Sequence, residues 1–120
     1  LDSSVGVLVT AVGSSSAAAN ARTATVATGL VAGTHWRATT AFATGPHANL
    51  AEAAKLLLDQ GATRLVIAPW FLAHGTITDR VAKFAAAQRI PMAQPLGAHR
   101  LVAETVLDRF DEVAAVPRAA

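Results

Sequence analysis

Four histidines offer the clearest metal or proton chemistry in this sequence of 120 residues, which has no cysteine. Neutral imidazole binds cobalt, iron, nickel and zinc, and it also carries protons near neutral pH. No His-x-x-x-His or Glu-x-x-His spacing occurs, so a local zinc motif is absent. The lack of cysteine excludes disulfide scaffolds, thiolate metal sites and cysteine nucleophiles.

His74 has the surroundings that most favour a functional role. It follows the strongest apolar run, at residues 64–72, and immediately precedes Gly75. Loops in this position carry function disproportionately, although a histidine bonded only to backbone would also fit there. We predict His74 as the catalytic and metal-binding residue. Of the other histidines, His47 is expected in another loop, His35 at the opposite edge of the sheet and His99 at the start of the last helix.

Gly13, Ser14, Ser15 and Ser16 form a loop that could bind an anion. They lie between a predicted strand and a predicted helix, where backbone N–H groups and hydroxyls attract phosphate or carboxylate. The spacing matches neither Gly-x-Gly-x-x-Gly nor Gly-x-x-x-x-Gly-Lys-Ser/Thr, which disfavours dinucleotide and P-loop sites. The alternative is structural: Gly13 permits a tight turn and a serine caps the helix. No spacing of serine with histidine and acid singles out a nucleophile.

The segment that follows His74 contributes further candidates for substrate binding, namely Gly75, Thr76 and Arg80. Arg80 could pair with a substrate carboxylate. Its neighbour Asp79 is explained more simply, because an acid in the first turn of a helix interacts favourably with the helix dipole.

Strands and helices are predicted to alternate along the chain. Apolar, β-branched runs predict strands, and apolar residues at helical spacing predict helices. The strands are expected at residues 5–12, 35–44, 64–72 and 90–94, and the helices at 17–30, 50–60, 78–88 and 99–113. Trp70 and Phe71, near the end of the third strand, could line a flat apolar pocket, but aromatic residues at a strand end are more often core residues.

This alternation predicts a three-layer, flavodoxin-like α/β domain with a four-stranded, mainly parallel sheet and helices on both faces. One domain is expected over residues 1–120, with 114–120 as a frayed tail. Ligands of such sheets bind at the carboxyl ends of the strands. The loops expected to form the site are therefore those at 13–16, 44–48, 73–78 and 95–98.

The composition restricts the class of protein. Hydrophobic residues make up 52% and charged residues 15%, which allows one core and disfavours a disordered chain. A net charge of +2 without a basic run disfavours nucleic-acid binding. No apolar run is long enough to span a bilayer, and the chain does not start with a signal-peptide pattern, so a cytoplasmic protein is expected.

The segment at residues 66–75 carries a resemblance to a known family. Its sequence, Val-Ile-Ala-Pro-Trp-Phe-Leu-Ala-His-Gly, follows Gly-Ala-Thr-Arg at 61–64 and resembles the signature of CbiX-type sirohydrochlorin chelatases, the class II tetrapyrrole chelatases. Gly-Ser at 13–14 resembles part of the His-Gly-Ser-Arg motif of this family, and Asn20 lies where its loop-to-helix asparagine is often found. Residues 95–99 resemble the segment that leads into the last helix.

The resemblance implies a chelatase-like fold that inserts Co²⁺ or Fe²⁺ into sirohydrochlorin, on the way to cobalamin or sirohaem. The metal is a substrate, and no organic cofactor is needed. A histidine binds the metal or accepts pyrrole protons, while the loops hold the carboxylates of the tetrapyrrole. Short members pair as homodimers, and long members fuse two such domains. The implied partners are therefore a tetrapyrrole and a second copy or a fused N-terminal half, with no nucleic acid or membrane.

The sequence departs from the family at two positions. The family's first histidine falls on Val12 and its second on Ile77, and neither side chain can bind a metal or carry a proton. Long members often lack the histidines in one half, which then has a Gly-Ser-Ser-type loop. Because residue 1 is Leu as well, we expect the C-terminal half of a two-domain member, with His74 as a substitute ligand.

Two alternatives to an active chelatase remain open. One is a degenerate, non-catalytic half that serves dimerisation or tetrapyrrole binding. The other is a flavodoxin-like or receiver-like binding module. The receiver type is disfavoured because the first strand does not end in an acidic cluster for Mg²⁺, and the flavin type rests on the serine loop alone.

Overall fold

The computed structural model describes residues 5–44 and 49–114. Within these ranges the chain forms three strands and four helices, in the order β1 (Val5–Ala11), α1 (Ala17–Val31), β2 (Arg37–Phe42), α2 (Leu50–Asp59), β3 (Arg64–Pro69), α3 (Thr76–Gln88) and α4 (Arg100–Ala114). β1 lies at the centre of the sheet, and β2 and β3 pair with it in parallel on either side. The expected α/β class with a parallel sheet is confirmed.

Two expectations fall outside the described residues. They concern most of the loop at 44–48, including His47, and most of the tail at 114–120. In the part of the chain that the structure describes, no helix combines the length and the apolar character needed to cross a membrane.

Side-chain caps begin α1 and α2, and the first of them is the serine expected from the sequence. Ser16 Oγ accepts a hydrogen bond from Ala19 N at 3.2 Å at the start of α1. Asn49 Oδ1 accepts one from Glu52 N at 2.9 Å at the start of α2. Each bond satisfies an N–H group that the first helical turn leaves without a partner, and such a cap typically contributes about 1 kcal/mol. The two helix starts are thereby held at the carboxyl end of the sheet.

β1 forms the centre of two apolar layers, because all seven of its residues are buried. On one side Leu8 packs with Leu57 of α2, Ile67 of β3 and Val81 of α3. On the other side the valines of β1 pack with Ala27 of α1. Successive side chains of a strand point to opposite faces, so the continuous apolar run of β1 supplies both layers.

The prediction of a fourth strand after α3 is wrong, because Met92 forms only an isolated parallel bridge with Ile67. Ile67 N donates to Pro91 O, and Ala93 N donates to Ile67 O, each at 2.9 Å. The segment thus occupies the position of an edge strand beside β3. Pro91 and Pro95 have no N–H group, so neither can donate a further bond to the ladder.

α4 differs from the other helices, since none of its residues is buried. Phe110 and Val113 of its apolar stripe are 62% and 83% exposed. The molecule is correspondingly long, with principal extents of 53 × 31 × 25 Å. The expectation of helices packed on both faces of the sheet therefore holds for α1, α2 and α3, and it is wrong for α4.

Candidate functional site

The loops that follow β1 and β3 lie side by side, because these two strands are parallel neighbours. Trp70 N donates to Thr10 O at 2.8 Å, which continues the pairing just beyond β3. α1 and α3 begin from these loops. Two helix N-termini, each with a partial positive charge, are therefore held at the edge where open α/β sheets bind ligands.

The loop after β1 is closed by Asn20 of α1. Ser14 N donates to Asn20 Oδ1, and Asn20 Nδ2 donates to Ser14 O, both at 2.8 Å. Ser16 N donates to Ser14 Oγ at 3.0 Å. Two N–H groups of the loop are thus used internally, which supports the structural interpretation of the serines. The N–H groups of Ser15, Ala17 and Ala18 have no acceptor among the described residues and are left as donors for an anion.

Gly13 holds this loop against the chain that follows β2. Its φ of +92° lies in the region that favours glycine. A Cβ at this position would lie 2.7 Å from Thr44 O and 3.1 Å from Phe42 Cβ. Thr44 donates to Val12 O through both its N–H and its hydroxyl. The positive φ shows a backbone conformation that the glycine expected here permits, and the close approach of the two loops adds a second reason for glycine.

His74 is exposed in the loop between β3 and α3. Its Nε2 lies 3.1 Å from Oε1 of Gln94, in the segment beyond the Met92 bridge. An amide oxygen only accepts hydrogen bonds, so Oε1 accepts from Nε2 in the tautomer that carries its hydrogen there, and this tautomer leaves the lone pair of Nδ1 for a metal ion or a proton. A polar partner that orients the ring in this way is typical of metal-binding histidines.

Gly75, directly after the histidine, is the N-cap residue of α3. The buried Thr78 in the first turn bonds back to it, since Oγ1 accepts from Gly75 N at 2.6 Å and donates to Gly75 O at 2.9 Å. The N–H groups of Thr76 and Ile77 follow at the N-terminus of the helix, where carboxylates are favoured. Arg80 lies one turn further along, exposed, and has no ion-pair partner among the described residues.

An apolar groove of about 430 Å³ lies next to this loop. It is lined by the end of β3, the loop before α4 and the first turns of α4: Trp70, Phe71, Leu72, Leu96, Leu101, Val102, Thr105 and Val106. Leu96 N donates to Phe71 O at 2.8 Å, which joins the two loops. The expectation of core packing is wrong for Trp70, which is 45% exposed and forms part of the groove wall.

The other two histidines in the described ranges lie where the sequence predicts them. His35 precedes β2, so it is at the amino edge of the parallel sheet. His99 begins α4, because its Nδ1 accepts a hydrogen bond from Leu101 N at 3.1 Å and its carbonyl accepts one from Val102 N at 3.0 Å. Neither shares a hydrogen bond with His74.

A family model with the description CbiX matches residues 6–113, nearly the whole chain. The chain belongs to the CbiX family. No individual curated protein matches it. CbiX membership confirms the resemblance drawn from the sequence and supports a tetrapyrrole-related function of the sirohydrochlorin chelatase type. It favours this class over a flavodoxin-like or receiver-like module.

The candidate site contains a single histidine among the described residues. At the positions where the resemblance implies histidines, Val12 is 44% exposed and Ile77 is half-buried. No group of three His, Asp or Glu side chains in the described ranges could hold a metal ion. The structure brings His74 together with Gln94, while no hydrogen bond joins it to the serine loop.

Two parts of the candidate site are missed by sequence reasoning. Gln94 is a polar residue directly before Pro95 at the end of a predicted strand, and this position is a signal that could indicate it. The groove wall formed by Leu101 and Val106 has no such signal. An apolar stripe at helical spacing has the same pattern whether it covers a core or lines a groove.

Proposed function

We propose that this domain binds sirohydrochlorin at the carboxyl end of its sheet and takes part in inserting Co²⁺ or Fe²⁺ into it. The reaction would serve cobalamin or sirohaem biosynthesis in the cytoplasm. The observation that carries the proposal is an apolar groove next to the His74 loop in a member of the CbiX family. The metal is a substrate, no organic cofactor takes part, and a second copy or a fused half completes the site.

The groove suits one edge of a flat macrocycle. Its volume of about 430 Å³ is in the range of small-molecule sites, and its wall is mainly apolar. Trp70, which is 45% exposed, offers a ring on which a π system can stack. The peripheral carboxylates of the tetrapyrrole would then meet the N-termini of α1 and α3 and the guanidinium of Arg80.

His74 is the group proposed to handle the metal or a proton. Insertion forms bonds between the metal and the pyrrole nitrogens and releases two protons, so a nearby base accelerates it. Nδ1 can accept one of these protons or hold the incoming ion, while Gln94 keeps the ring in one orientation. The second proton passes to water or to a group of the partner.

A specific observation favours a second candidate, in which the domain is a non-catalytic half. At the two positions where the resemblance implies histidines, this chain has Val12 and Ile77. The described residues also contain no cluster of three metal-binding side chains. In this case the domain would bind the tetrapyrrole and pair with a half that supplies the metal ligands.

Metal insertion into sirohydrochlorin separates the two candidates when the absorbance of the pigment is followed with Co²⁺ and Fe²⁺ supplied separately. We expect a rate above that of the protein-free reaction, as for an active chelatase. Binding of the pigment without acceleration would support the non-catalytic half. Absence of pigment binding would contradict both.

Trp70→Ala is expected to weaken sirohydrochlorin binding by about tenfold or more, because stacking of a flat heterocycle on an exposed aromatic ring contributes about 1–3 kcal/mol. Trp36→Ala is the matched control. Trp36 is similarly exposed, at 40%, and it precedes β2 at the opposite edge of the sheet. Absorbance titration gives both dissociation constants, and equal effects of the two substitutions would contradict a role of the groove.

A further inference from the structure

A second cavity, of about 600 Å³, lies at the amino edge of the parallel sheet, whereas His74 lies at the carboxyl edge. Its apolar wall is formed by Ala54 and Leu58 of α2 and by Ile90 after α3. Leu58 is 49% exposed, so this wall is open to solvent. The volume is in the range of small-molecule sites. No step of the proposed function uses this cavity, so what it binds is independent of the groove at Trp70.

The start of β3 borders the cavity with unpaired backbone groups. Ile67 N donates outward to Pro91 O, and Ile67 O accepts from Ala93 N. Backbone groups of alternate residues in a parallel strand point to the same side, so the N–H and C=O groups of Leu65 point outward as well. Neither of these two groups has a backbone partner within the described ranges, and Pro91 has no N–H group to offer. Residues 63–66 therefore form a free edge that spans about 13 Å.

Two arginines line the same cavity. Arg64 begins β3, and Arg89 follows the last residue of α3. Both residues are exposed, and neither guanidinium has an ion-pair partner among the described residues. The acid at the end of α2, Asp59, is already paired with Lys55 at 2.6 Å. A guanidinium binds a carboxylate through two parallel N–H···O bonds, so the cavity is complementary to a carboxylate with an apolar body.

Arg89 holds its charge at a position that favours glycine. Its φ of 56° and ψ of 41° are left-handed, and it is the only non-glycine residue with positive φ in the part of the chain that the structure describes. Helices commonly end with glycine in this conformation, because a Cβ raises its energy. The bond from Arg89 N to Ala86 O would persist with glycine. The charge is favoured by the negative end of the helix dipole, but the backbone gives no reason for arginine here.

We infer that this cavity binds the carboxyl-terminal end of a short apolar peptide. The peptide backbone extends beside the free edge, donates to Leu65 O and accepts from Leu65 N, as when a strand is added to a sheet edge. An apolar side chain contacts Leu58 and Ile90. The terminal carboxylate pairs with Arg64 and Arg89. The length of the edge fits a peptide of about three or four residues.

The probes for this site are acetyl-Val-Leu-Leu with a free carboxylate and the same peptide as its amide. Each is titrated into the full chain and followed by ¹H–¹⁵N correlation spectra. We expect the acid to shift the amide signal of Leu65 and to bind about tenfold more tightly than the amide, because hydrogen bonds to charged groups are stronger than neutral ones. A Leu65 signal that stays in place at millimolar peptide, or equal affinities of acid and amide, would overturn the inference.

The combined variant Arg64→Gln and Arg89→Gly is expected to bind acid and amide equally. Both side chains are exposed, so the fold should persist. Arg37→Gln is the matched control, because Arg37 is exposed at the start of β2, at the same edge of the sheet, and does not line the cavity. It should keep the full preference for the acid. An equal loss in Arg37→Gln would mean that only the total charge of this edge matters, and the inference would be wrong.

Octanoate distinguishes a peptide from a simpler ligand of this cavity. It has a carboxylate and an apolar chain but no amide to bond with Leu65 N and Leu65 O. We therefore expect weaker binding than for the acid peptide in the same titration. Octanoate binding as tight as that of the peptide would show that the free edge contributes nothing, and a peptide would then be excluded as the specific ligand.

Discussion

His74→Ala is expected to slow metal insertion into sirohydrochlorin by about 100-fold, the lower end of what a positioned proton-transfer group contributes. The substitution removes the ring whose Nδ1 lone pair is left available by the contact with Gln94. The side chain is exposed and belongs to neither core layer, so the free energy of unfolding should stay unchanged. Initial rates from absorbance, together with urea unfolding of the same samples, measure both effects.

Two further substitutions control this result. Gln94→Ala keeps the imidazole and removes only its partner, so a loss of about tenfold is expected, as for other residues that orient a ligand. His35→Ala removes a histidine at the opposite edge of the sheet and should leave the rate unchanged. An unchanged rate in His74→Ala would show that another group handles the metal and protons, and the assignment of His74 would then be wrong.

Gly13→Ala is expected to lower the free energy of unfolding by about 3 kcal/mol, from two causes that add. The first is the left-handed backbone, with φ at +92°. The second is steric, since the new Cβ would lie 2.7 Å from Thr44 O, a backbone atom that cannot move without the loop. Urea unfolding with linear extrapolation measures the change.

Gly33→Ala separates the two causes. Gly33 has a φ of +77°, but nothing lies within 4 Å of the position of its Cβ. This variant should therefore lose only the conformational part, about 1–2 kcal/mol. If both substitutions had the same effect, the close approach between Gly13 and Thr44 would contribute nothing to stability.

Most of the local structure could be predicted from the sequence, because its signals act within a few residues. The apolar run of β1, the serine cap at Ser16 and the glycine conformation at Gly13 depend on neighbouring residues, and the structure confirms all three. The position of His74 after β3, at the carboxyl end of the sheet, also follows from the order of the elements. Its chemical role stays a prediction.

The contacts of the site could not be predicted in the same way. Gln94 meets His74 from 20 residues away, and the exposed face of Trp70 depends on where the first turns of α4 lie. Neither of these long-range contacts leaves a pattern in the sequence. The number of strands could be predicted only in part. Pro91 and Pro95 indicate a weak fourth strand, and only the pairing with Ile67 shows that this strand is reduced to one bridge.

The α/β class and the order of the helices and the first three strands could be predicted from the sequence, because hydrophobic periodicity and capping residues act locally. The family followed from the resemblance at residues 66–75. Which apolar faces are covered depends instead on long-range packing. The stripe through Phe110 predicts that one side of α4 must be buried, but periodicity carries no information about the surface that buries it. In this fold α4 leaves its own sheet, since the bond from Gly97 N to Leu72 O ties its start to the loop after β3.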